Sequence, residues 1–124
     1  IWSIDDDEKR SEARRDSVTA DNFLGGINAI SREGQLVSAD KSGSRVGAYP
    51  YAAKNLILVS GVNKITEDLE SARERLREHV YPKEDERAQE EYGVGSDIAK
   101  EFIFHSEHTE GRTTVILINR ELGF

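Results

Sequence analysis

The sequence predicts an α/β protein, a mostly parallel sheet flanked by helices, and three stretches predict it. "NLILVSG" (55–61) is a run of strand-compatible residues bounded by Asn55 and Gly61, the pattern of a strand buried on both faces of a parallel sheet. After "VNKI" comes "TEDLESARERLREHV" (66–80), where Leu69, Ala72, Leu76 and Val80 form one apolar helical stripe. "EFIFHS" (101–106) and "RTTVILINREL" (112–122) then read as two further strands, the second long and continuous. Strands alternating with helical patterns give a layered α/β fold.

The remaining elements follow in order. "DDDEKRSEARRDSVTADNFL" (5–24) places acids before arginines, as the helix dipole favours, on a thin apolar face of Ala13, Val18 and Phe23. "NFLGGINAI" is a buried segment broken by Gly25 and Gly26; "SREG" is a turn, and "QLVSA" is the strand leaving it. "DKSGSRVGAYPYAA" (40–53) holds a loop and a short helix expected to stop near Pro50. For the stripe helix, Thr66 is the expected N-cap, Glu67 and Asp68 occupy the first turn, and Pro82 is the expected end. "KEDERAQEEYG" then reads as a second, exposed helix.

With 124 residues the chain is one domain, residues 1–124, with one modest core. It starts "IWSIDDDEKR" without Met, which reads as a fragment, a processed form or the ordered part of something longer. Cysteine is absent, which removes disulfides, thiolate metal sites and Cys nucleophiles. No apolar run spans a membrane and no signal-peptide pattern opens the chain, so a cytoplasmic protein is expected. A net charge of -7 argues against nucleic acid as a partner, because phosphate backbones need a basic face.

Candidate chemistry gathers where strands should end. In an open α/β sheet, ligands sit beyond the carboxyl ends of strands. "DKSGSRVG" offers Ser42, Gly43 and Ser44 beside a helix start whose N–H groups would favour an anion, and Arg45 to pair with a carboxylate or phosphate. The structural alternative is a capped helix with a glycine turn. Asp40, at a strand end, is the candidate catalytic carboxylate or else the cap of that helix. Asn28 either orients a ligand or satisfies the backbone of its bend, while Glu33 reads as an exposed turn residue. Asn63 and Lys64 follow the strongest strand, Lys64 being a cationic anchor or a solvated lysine. "HSEH" (105–108) is set aside as a metal site, since residues three apart on a strand face opposite sides and no third ligand is in pattern. No metal and no cofactor is expected.

The ordered set "GINAI", "GQLV", "GSRV", "GVNKI" and "ELGF" resembles the lactate-utilisation (LUD) domain family, of the LutC/YkgG kind, over about Arg14 to Phe124. The resemblance implies an open α/β sheet of the sugar-phosphate isomerase and CoA-transferase-like type (NagB/RpiA/CoA-transferase-like). It implies that the Ser42–Arg45 loop borders a ligand cleft, and that the N-terminal portion of the family is missing here. Relatives often carry a cysteine cluster that "EEYGVGSDIAKEFIFHSEH" lacks, and usually Asn at Ser44. Implied partners are a small anionic ligand and the iron–sulfur proteins of lactate oxidation, with self-association left open. Three functions are compatible: an anion-binding or assembly subunit in L-lactate utilisation, an independent enzyme on a phosphorylated or CoA-linked substrate, or a non-catalytic binding module.

Overall fold

The computed structural model describes residues 1–124. Along the chain run α1 (Asp7–Ser17), β1 (Asn22–Gly25), β2 (Ala29–Ser31), β3 (Leu36–Asp40), α2 (Ser44–Gly47) and β4 (Asn55–Gly61). They are followed by β5 (Ile65–Thr66), α3 (Leu69–Arg75), α4 (Tyr81–Tyr92), β6 (Lys100–Phe104) and β7 (Thr113–Ile118). The strands form two open sheets: an all-parallel β1-β4-β7, and a mixed β5-β2-β3-β6 in which β2 runs parallel to β5 and antiparallel to β3. The fold is mixed α/β with a mostly parallel sheet and flanking helices.

The β2–β3 hairpin shows how sequence sets the layering. Ile30 pairs with Leu36 and Ala29 with Val37. Alternation then sends Ile30 and Leu36 to a core with Leu56, Leu58 and Tyr49. Ala29 and Val37 point the other way, onto Ala72, Leu76 and Val80. The four-stranded sheet is thus buried on both faces, between the parallel sheet and the helices, and the predicted apolar stripe is the stripe that packs.

In β4 the sequence expectation needs correction. Leu56, Leu58 and Ser60 are buried, but Ile57 and Val59 are only half-buried. Beside them on the outer face Leu24 is 69% exposed and Ile116 45%. No helix covers that side, so the central parallel strand has one buried face rather than two.

Pro82 does not end the helix. The chain widens through one π-type turn at Leu76–Val80, where Tyr81 N–H reaches back to Leu76 O, and continues into α4 with Pro82 in its first turn. The wider turn shifts the hydrogen-bond ladder where proline has no N–H to give. The two expected helices are one rod. The N-cap is Asp68, whose carboxylate accepts from Ser71 N–H at 2.8 Å. Thr66 instead belongs to β5 and donates its hydroxyl to Ile30 O. Pro50 likewise lies inside a wide turn, Ala48–Ala52, that carries α2 on to Ala53.

Candidate functional site

The carboxyl ends of β1 and β4, the start of β2 and the end of β3 meet on one side of the molecule. Asn28 joins two of them: its Oδ1 accepts from Ala39 N–H at 2.8 Å and from the Ser38 hydroxyl at 3.2 Å. Its side-chain oxygen is occupied in the bend. Its carbonyl, however, accepts from Arg75 Nη1 at 2.8 Å, which fixes a half-buried guanidinium from α3 at the strand ends.

The loop after β3 is built differently from its reading as an anion-binding helix start. Asp40 Oδ2 accepts from Arg45 N–H at 2.7 Å and Val46 N–H at 3.4 Å, so those amides are already capped. The Ser42 hydroxyl accepts from Arg14 Nη2 of α1 at 3.0 Å and lies 3.3 Å from the Ser44 hydroxyl. Gly43, at φ 95°, lies against the aliphatic part of Lys100, which would sit 2.9 Å from a Cβ there. Ser42, Gly43 and Ser44 are therefore engaged with one another, α1 and β6. Of this loop, Arg45 is the residue whose charge reaches the strand ends, where it adds to burial and to Arg75 in lowering the Lys64 pKa.

Beyond β4 the chain turns through Asn63 and Lys64 into β5. Asn63 Oδ1 accepts from Leu122 N–H at 3.1 Å and its Nδ2 donates to Gly123 O at 3.4 Å, holding the C-terminal segment over the end of β4. Gly61 makes this approach achievable, since a Cβ there would lie 2.5 Å from Arg120 O and 2.7 Å from Leu122 N. Phe124 then packs against the second core. The Lys64 ammonium lies at the edge of this clasp, 3.4 Å from where a Gly123 Cβ would be. Burial first, then the charges of Arg75 and Arg45, hold its pKa below the ordinary lysine value.

Between the clasp and the helical rod is a cleft of about 370 Å³ lined by Asn63, Arg75, His79, Lys83, Glu121 and Gly123. Burial lowers the Arg75 pKa. The His79 pKa is lowered by desolvation first, then by Lys83 and Arg75. None of the protein's ion pairs includes Arg45, Lys64, Arg75 or Lys83. A larger hollow of about 600 Å³ runs along the outside of α3, but its Arg73 and Arg77 are bridged to Glu101 at 3.0 and 3.2 Å. Its charge is cancelled within the chain; that of the smaller cleft is not.

The "HSEH" segment lies at the opposite end of the parallel sheet. Glu107 accepts from Arg112 Nη1 at 2.9 Å and from the Thr113 hydroxyl at 2.7 Å. Burial pushes the Glu107 pKa up, but the hydrogen bonds from Thr109, Thr113 and Arg112 outweigh it and the net shift is downward. No three His, Asp or Glu side chains are grouped as a metal site, and no helix is long and apolar enough to cross a membrane.

The family model of the LUD domain matches residues 2–118. The chain belongs to the LUD domain family. No curated protein and no solved structure matches it. In this LUD domain the sequence reading picked out Asn28, Arg45, Asn63 and Lys64, which do gather at the carboxyl ends of the strands. It missed the rod's contribution. Arg75, His79 and Lys83 recur every four residues, a stripe beside the apolar Ala72, Leu76 and Val80, and that spacing was the available signal.

Proposed function

We propose that this LUD-domain protein binds a small anion at the carboxyl end of β4 and serves L-lactate or related organic-acid utilisation as an anion-binding or assembly subunit. The observation that carries the reading is the convergence of Lys64, Arg75 and Lys83, with the field of Arg45, on a polar cleft whose single acid, Glu121, forms no ion pair with any of them. In a chain with net charge -7, uncompensated positive charge at a strand-end cleft needs a cause, and a bound anion supplies one. Arg75 is the central ligand, held by Asn28 O; Lys64 and Lys83 flank it, and Arg45 reinforces the field from the side. Asp40 serves by fixing the backbone of Arg45, and Asn63 by closing the cleft with the C-terminal segment.

The site is tested by thermal shift with L-lactate, pyruvate and inorganic phosphate. At least one of them raises the melting temperature, because a ligand that binds only the folded state stabilises it. Arg75→Gln removes that shift. No shift with any of the three would overturn the site. The process is tested separately by deleting the gene in its host: growth on L-lactate fails, whereas unimpaired growth would remove the protein from that process.

A further inference from the structure

The charge and the lining of the cleft specify more than "anion". We propose that the cleft is built for a doubly charged oxyanion, the phosphate group of a small polar phosphate monoester, rather than for a monocarboxylate. This rests on the anion-binding reading above and narrows its ligand class.

Two features of the cleft lead there. First, the count of charges: Arg75 and Lys83 line it, Lys64 stands at its edge against Gly123, and only Glu121 among its lining residues is negative. Two positive charges remain uncancelled without Arg45. A single carboxylate neutralises one of them, whereas a phosphate monoester carries a charge of about -1.5 to -2 at neutral pH and neutralises the pair. The mutual repulsion of these cations is visible in Lys64, whose pKa Arg75 and Arg45 depress after burial, and in His79, which Lys83 and Arg75 depress in the same way. A dianion relieves that repulsion; a monoanion leaves part of it.

Second, the walls: none of the six lining residues is apolar. The cleft therefore has no hydrophobic side chain to hold an acyl chain, and its volume of about 370 Å³ falls at the small end of ligand sites. The rest of the ligand is small and polar. Arg75 supplies directional donors, because Nη1 on Asn28 O fixes the guanidinium plane and leaves Nε and Nη2 without a protein acceptor. Lys64 and Lys83 are point charges on flexible stems that close on phosphate oxygens from either side.

The test is calorimetric titration of the full chain, at fixed neutral pH and low salt, with inorganic phosphate, sulfate, glycerol phosphate and L-lactate. Phosphate, sulfate and glycerol phosphate should each bind at least about tenfold more tightly than L-lactate, the difference one extra charge makes in a partly desolvated cationic site. Lys64→Ala and, on the exposed rod surface, Lys83→Gln should each weaken the dianions about tenfold and lactate about threefold, with melting temperatures close to the parent. L-lactate binding as tightly as phosphate would overturn the dianion assignment and leave the anion site standing. Absence of binding by all four would overturn the site itself. Equal losses for dianions and lactate in both variants would also count against the assignment, since the second charge would then contribute nothing.

Discussion

The two ends of the parallel sheet each hold a buried or half-buried arginine, and the two are used in opposite ways. At the amino end Arg112, just before β7, has 7% of its side chain exposed. It donates to Ala53 O and Tyr49 O at 3.0 Å, to Ala48 O at 3.3 Å and to Glu107 at 2.9 Å. That guanidinium closes the carbonyl end of the Ala48–Ala52 turn and pins it to β7. At the carboxyl end Arg75 has one carbonyl partner and otherwise faces cations and an open cleft. The same residue type is a staple where the chain supplies every acceptor and, in the proposed reading, a receptor where it withholds them. The difference lies in acceptors supplied by the chain: Arg112 has three carbonyls and an ion pair, Arg75 one carbonyl and no ion pair.

The largest test of that contrast is Arg112→Ala. It takes the side-chain donor from Ala53 O and Tyr49 O, leaves Ala48 O with only Ala53 N–H and Glu107 with only Thr109 and Thr113, and empties a buried site; chemical denaturation should show a loss of about 3 kcal/mol or more, with anion affinity of the folded protein unchanged. Next, Gly61→Ala drives a Cβ into the backbone of Arg120 and Leu122. Unclasping that segment should cost roughly 2 kcal/mol and weaken anion binding together with stability, since the cleft loses a wall. Arg75→Gln should do the reverse of Arg112→Ala: anion affinity falls by about tenfold or more while stability falls by only about 1 kcal/mol, one hydrogen bond to Asn28 O. A loss of several kcal/mol with unchanged binding would place Arg75 in the same class as Arg112 and break the comparison.

The smallest effect sharpens it. The Glu101 pKa is lowered by its hydrogen bond from Arg73, against an opposing push from burial, with Arg73 and Arg77 charges assisting. Because the folded carboxyl titrates below its ordinary value, this bridge contributes fully above the ordinary glutamate range and is lost as pH falls through the folded value. Glu101→Gln should therefore cost less than about 1 kcal/mol at neutral pH, the arginines being 40% and 49% exposed, and should flatten the acid limb of the stability–pH curve.

Local pattern carried most of the fold into view. The burial of Leu69, Ala72, Leu76 and Val80, the strands β4, β6 and β7, and the acid-first helix α1 all follow from period and capping chemistry. The rod's passage through Pro82 was hidden because a π-type turn is a response to tertiary packing, and β5 because two residues carry no periodicity. The division of the strands into two sheets depends on register partners far apart in sequence. The site was half legible. Strand ends flagged Asn28, Asn63 and Lys64, but Arg75 sits in "SARERLREH", where Arg73, Arg75 and Arg77 look alike until the fold gives Glu101 to two of them.

The bare outer side of the parallel sheet has a bearing on handling. Leu24 and Ile116 face solvent there at 69% and 45% exposure on the two edge strands, and a net charge of -7 holds such surfaces apart. Light scattering should accordingly rise as the buffer approaches the isoelectric point near 5.0, and rise again at neutral pH as added salt screens the mutual repulsion of the chains.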